Sequence, residues 1–173
     1  SETIWKDNIE KHPEAPVGYF YLGQEYYSKY EAAKTPGEKK AYADSSLQCF
    51  NASIERKPDY TNPMICLGEL QRNEGQIDAA KITYYRVLKI KATEESAYLG
   101  LGVVYSIKHM YDSAAICFRT ALKLKAYFPE AYSNYANFLD ITGKTDSALI
   151  EYGAAINQNP DAYIPYMNRA KIY

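Results

Sequence analysis

Three aspartates recur in this chain at a fixed interval: Asp78, Asp112 and Asp146 stand 34 residues apart. Carboxylates close together can ligate a cation or divide acid and base roles. A 34-residue step instead puts each in its own separated turn. Each precedes an apolar run at helical spacing, so the expected role is capping, a carboxylate offered to unpaired N–H groups and the positive end of a helix. Cys49, Cys66 and Cys117 are odd in number and form no CxxC pair, so neither a disulfide framework nor a zinc site follows. Free, buried thiols are expected. Of the two histidines, His12 precedes Pro13 at a helix exit and His109 occupies a turn, so neither is placed as a general base. No GxSxG, HExxH, P-loop or GxGxxG stretch occurs. The expectation is therefore no catalytic residue, no metal ligand and no cofactor. The sequon Asn51-Ala52-Ser53 falls inside a helical pattern, with Ser53 at a packing position.

The totals narrow the partners. Twenty basic residues against twenty-one acidic ones give a net charge of −1, with no Lys/Arg run, so neither nucleic acid nor an anionic membrane surface is attracted by the chain as a whole. The longest uncharged run, Ser96 to Ile107, is well short of the roughly 18 to 20 apolar residues a membrane span needs, so no direct membrane insertion is expected. Residues 1–15 carry no signal-peptide pattern, which leaves the compartment open, with the cytoplasm as the default. Nineteen tyrosines against one Trp and five Phe favour broad, shallow helix interfaces, since Tyr buries a ring and keeps a polar tip.

The elements that must position these residues are repeated. The stretches IDAAKITYYRVL at 77–88, YDSAAICFRTAL at 111–122 and TDSALIEYGAAI at 145–156 share Asp second, Ala fourth, an aromatic eighth and an aliphatic residue twelfth. On the same spacing Leu67 aligns with Leu101, Gly68 with Gly102, and Tyr98 with Tyr132 and Tyr166. A fixed period of this size marks stacked units that share one core. Within each unit the apolar spacing is helical and is interrupted at Gly75, Gly143 and Pro160, so each unit is expected to be a helix, a tight turn and a second helix. At the turn, His109 stands where the other units have glycine, a place for positive φ.

The pattern resembles the tetratricopeptide repeat family: Leu-Gly at positions seven and eight, Tyr at eleven, Ala at twenty, an aromatic at twenty-four, Ala at twenty-seven and Pro at thirty-two. That resemblance implies an all-α, right-handed superhelical solenoid of helix-turn-helix repeats. Repeats are expected at 16–60, 61–94, 95–128 and 129–162, the first with an 11-residue insertion and the last with Tyr135-Ala136 in place of Leu-Gly. Residues 1–15 read as the second helix of a preceding repeat, because Trp5, Ile9 and Pro13 stand at the spacing of Phe50, Ile54 and Pro58. Residues 163–173 read as the first helix of a further repeat or a capping helix, with Tyr166, Ala170 and Tyr173 at core positions. A chain of this form is expected to be part of a longer array. The insertion lies at EAAKTPGEKKAYA, where Thr35, Pro36 and Glu38 form a cap, first-position proline and capping box, so the second helix is expected to start at Pro36.

The resemblance also implies which residues face a partner. First helices line the concave side of such arrays, which places Phe20, Gln24, Tyr27, Ile65, Glu69, Leu99, Val103, Asn134, Asn137 and Asn168 in the groove, apolar at one end and amide-rich at the other. The Lys, Asn and Arg clamp of chaperone-binding members is not expected, since its inward places hold Phe20, Gln24, Cys66, Ser96 and Gly100. Asn134 and Asn168 instead resemble the asparagine ladder by which O-linked N-acetylglucosamine transferase arrays hold a peptide backbone. The function implied is a non-catalytic scaffold binding a protein or peptide. Two other readings stand beside it: the soluble repeat region of a membrane-bound glycosyltransferase-type enzyme, outside the cytoplasm, and a homo-oligomer formed through exposed terminal repeats.

Overall fold

The computed structural model describes residues 2–172, and among them it contains ten helices and no strand. They are α1 (Glu2–Lys11), α2 (Pro16–Ala32), α3 (Pro36–Arg56), α4 (Thr61–Asn73), α5 (Ile77–Ile90), α6 (Glu95–Ile107), α7 (Tyr111–Leu124), α8 (Pro129–Ile141), α9 (Thr145–Gln158) and α10 (Tyr163–Ala170). The chain divides into two compact units, Ser1–Ala92 and Thr93–Tyr173. Tyr173, expected at a core position of the last helix, lies outside the described residues.

In the first unit α2 pairs with α3 and α4 with α5, and α1 packs on α2. The close approach of each pair rests on a glycine. A methyl group at Gly23 would come within 2.7 Å of the Phe50 ring, and one at Gly68 within 2.7 Å of the Tyr84 ring. Two fully buried serines tie α3 to α2, Ser46 Oγ donating to the Gly23 carbonyl at 2.9 Å and Ser53 Oγ to the Pro16 carbonyl at 2.8 Å. Ser53 is thus committed to packing, as its place in the sequon required.

The insertion lengthens both helices of the first hairpin, α2 to 17 residues and α3 to 21. Thr35 caps α3 as expected: its Oγ1 accepts from the Glu38 N–H at 3.2 Å, and Glu38 Oε2 accepts from the Thr35 N–H at 3.2 Å. The added turns are not bare. Tyr30 and Ala43 are buried with Leu70 of α4, and Tyr27, Tyr42 and Leu47 pack around them.

In the second unit α6 pairs with α7 and α8 with α9, and α10 rests on α8 and α9. Gly102 seats the Phe118 ring, which Tyr135 and Phe138 of α8 approach at 5.7 and 5.4 Å. The turns after α4, α6 and α8 close alike. Gly75, His109 and Gly143 adopt φ of 76°, 57° and 77°, and their N–H groups donate to the carbonyls of Arg72, Ser106 and Asp140 at 2.9–3.0 Å. This is the glycine-favouring helix end, with a histidine in one of its three occurrences.

One expectation is corrected. α5, α7 and α9 begin one residue before the periodic aspartates, at Ile77, Tyr111 and Thr145, and their caps Gln76, Met110 and Lys144 make no side-chain cap bond. Asp78, Asp112 and Asp146 therefore sit inside the first turn. There a carboxylate acts on the positive helix end by its charge, a weaker effect than a cap.

Candidate functional site

The first helices of successive hairpins lie side by side: α2 with α4 in the first unit, and α6, α8 and α10 in the second. Their common faces carry the residues expected to meet a partner.

On the α2–α4 face, Gln24 is exposed, and Tyr27, Ile65 and Glu69 are half-buried. Asn73 Nδ2 donates to the Tyr27 hydroxyl at 2.8 Å, which fixes that ring and leaves the phenol proton for another acceptor. Burial first, then the carboxylates of Glu69 and Glu31, push the Tyr27 phenol well up, so it stays a neutral donor. Phe20 differs from its expected place as an open anchor. It is 5% exposed, covered by Tyr21 and Tyr60 at ring distances of 5.1 and 5.4 Å, so its ring shapes the floor from below. Trp5 of α1 stacks on Tyr21 at 4.6 Å, an addition that spacing alone did not give.

On the α6–α8–α10 face, Val103 is half-buried and Leu99 is 6% exposed, again a floor residue. Asn134, Asn137 and Asn168 are half-buried. Asn137 is the hub: its Oδ1 accepts from Asn168 Nδ2 at 2.9 Å and from the Tyr152 hydroxyl beneath it. Lys171 Nζ donates to Asn168 Oδ1 at 3.3 Å. The Asn134 amide makes no hydrogen bond to the described residues. The two expected rungs thus differ. Asn134 keeps both its N–H groups and its oxygen for a ligand, whereas Asn168 spends one N–H holding Asn137, whose own NH2 group stays open to the face.

Burial pushes the thiols of Cys49, Cys66 and Cys117 up to about 11, about 12 and about 11, away from the thiolate form that attacks or binds metal. Among the described residues no group of His, Cys, Asp or Glu is arranged to hold a metal ion, and no helix is long and apolar enough to cross a membrane.

Helix pairs closed on a small residue and joined by a left-handed turn define a class, the α-hairpin repeat proteins. Within that class the tetratricopeptide repeat model matches residues 67–94 and 95–128. Residues 67–128 therefore match two consecutive tetratricopeptide repeats, and the helix pairs on either side of them are built in the same way. Solved structures share the chain's fold. A thermophilic TPR protein of Thermus thermophilus matches with a TM-score of 0.80 at 20% identity, covering 99% of this chain and 88% of the other. A chain of the APC/C hetero-tetramer matches with a TM-score of 0.84 at 16% identity, covering 99% of this chain and 32% of the other. YrrB, a TPR protein with an unusual peptide-binding site, matches with a TM-score of 0.66 at 17% identity, covering 100% and 84%. No curated protein matches the sequence.

Proposed function

We propose that this chain is a non-catalytic protein-interaction scaffold that holds an extended segment of a partner protein against its first helices. The observation that carries the reading is the set of side-chain amides Asn134, Asn137 and Asn168 on neighbouring helices α8 and α10, with the Asn134 amide making no bond within the described residues. A primary amide donates to a backbone carbonyl and accepts from a backbone N–H of one extended strand, so such a row binds main chain and leaves sequence choice to its surroundings. On the first unit Gln24, Tyr27, Ile65 and Glu69 offer a mixed face over the buried Phe20, while on α6 of the second unit Val103 over Leu99 supplies an apolar patch. The YrrB likeness supports a peptide reading, since that protein of the same fold has a peptide-binding site.

The test is selection of peptides from a displayed random library on the immobilised chain, followed by hydrogen exchange of the chain with and without the recovered peptide. The expected result is slowed exchange in α8 and α10, the helices that carry the asparagines. Protection confined to α3, α5, α7 and α9 would place binding on the opposite helices and overturn the assignment.

A further inference from the structure

The insertion in the first hairpin builds a surface of its own. It lengthens α3 to 21 residues, and the added turns lie against the end of α4, where Ala43 and Tyr30 are buried with Leu70. A recess of about 40 Å³ opens at this contact. That is room for the end of one side chain and not for a length of main chain. Its apolar lining is Ala43, Leu47 and Leu70, and its carboxylates are Asp44 on α3 and Glu74 just past α4. Both carboxylates are exposed, and neither forms an ion pair with a Lys or Arg among the described residues. Lys39 reaches the Tyr30 ring instead, its Nζ 4.9 Å from the centroid. Beneath the recess the Tyr30 hydroxyl is buried and makes no hydrogen bond. Burial first, then the Glu74 carboxylate beside it, push this phenol up to about 12, so it stays protonated and its oxygen can accept. An unmet buried hydroxyl is a cost that a visiting donor removes.

We propose that the recess receives an arginine side chain of a partner protein, its guanidinium at Asp44 and Glu74 and its methylenes on Ala43, Leu47 and Leu70. Charge selects this occupant. Two carboxylates that no cation of the chain bridges stand beside an apolar floor, and a long apolar stem with a positive head matches both. Arginine fits better than lysine, because its planar fork carries five donors, enough for two carboxylates and the Tyr30 oxygen together, whereas an ammonium is a compact, strongly hydrated point charge. The main chain around the arginine has a place as well. A shallow shelf of about 370 Å³ shares Asp44 and Leu47 with the recess and continues along α3 to Gln48 and Asn51, whose amides can pair with backbone groups. This surface lies on α3 and α4, so it does not depend on the asparagine face of α8 and α10.

The test is a titration of the isotope-labelled chain, followed by its backbone amide chemical shifts, with the peptide acetyl-Gly-Arg-Gly-amide and with the neutral counterpart in which citrulline replaces arginine. The expected result is saturable shifts around Asp44, Leu47 and Glu74 with the arginine peptide and none with the citrulline peptide. Combining Asp44→Asn with Glu74→Gln should weaken binding at least about fivefold. Both positions are exposed, so this variant should keep wild-type helicity. Glu55→Gln, one turn beyond Asn51 on α3, removes a charge away from the recess and should titrate like wild type. The proposal is overturned if the arginine peptide shifts nothing around the recess, if the citrulline or lysine peptide binds as tightly, or if the double variant titrates like wild type.

Discussion

Replacing Gly102 with alanine separates two effects that oppose each other in a helix. Alanine is the better helix former by about 1 kcal/mol, so on propensity alone the change stabilises. At this position the new methyl would lie 2.8 Å from Cδ1 and Cε1 of Phe118 and 3.1 Å from its Cγ. The ring cannot step aside: it is 1% exposed, and Tyr135 and Phe138 hold it at 5.7 and 5.4 Å. Overpacking of this kind costs about 1–3 kcal/mol, and contact with three ring atoms belongs at the upper end, so the net loss is about 1–2 kcal/mol. For a chain of this size the melting temperature falls by about 2–8 °C. Gly153 is the control, since it lies within α9 and a methyl there meets nothing within 4 Å. Gly153→Ala should gain about 0.5–1 kcal/mol. Thermal melts followed by circular dichroism read both. If Gly102→Ala melts at or above wild type, the small residue is not what lets α6 and α7 approach, and the repeat-position argument fails.

Three further outcomes follow from the same contacts. His109→Gly should stabilise by about 0.5–1 kcal/mol, because φ of 57° strains a residue with a Cβ while the lost bond to the Tyr111 hydroxyl is exposed; a lower midpoint in urea would refute this. Tyr84→Phe should be neutral or stabilising, since its buried hydroxyl has no partner, whereas Tyr152→Phe should cost about 1 kcal/mol by removing a donor to Asn137; equal effects would contradict the bonding described. Glu2 accepts from Lys29, Lys6 and Tyr26, which lower its carboxyl from 4.5 to about 2. A lowered folded value stabilises above the ordinary value and is lost as pH falls, so docking of α1 should weaken from about pH 4.5 down to about 2. Trp5 fluorescence reports it, and a Glu2→Gln variant with the same low-pH transition as wild type would show that another group is responsible.

The hairpins and their joints could be read from sequence because they depend on local spacing. Gly75 and Gly143 mark left-handed turns, Thr35 and Glu38 mark a cap, and Gly68 and Gly102 mark seats for rings sixteen residues onward. The aspartates misled by two positions, since a carboxylate at the cap and one just inside the helix look alike in a string. What the faces present was harder to read. Phe20 sits at an inward position, yet Tyr21 and Tyr60 close over it, an outcome of ring packing that no period encodes. Asn168 and Asn134 share a repeat position, yet only Asn168 is tied to Asn137, because the bond needs the neighbouring helix at the right height.

The most direct test of the scaffold reading is calorimetric titration of a selected peptide into wild type and Asn134→Ala. The Asn134 amide makes no bond within the described residues, so its removal should leave the melting temperature unchanged. Loss of one or two amide bonds to a peptide backbone should weaken binding by roughly 5- to 10-fold. Unchanged affinity together with unchanged stability would contradict the claim that the asparagine face holds the partner.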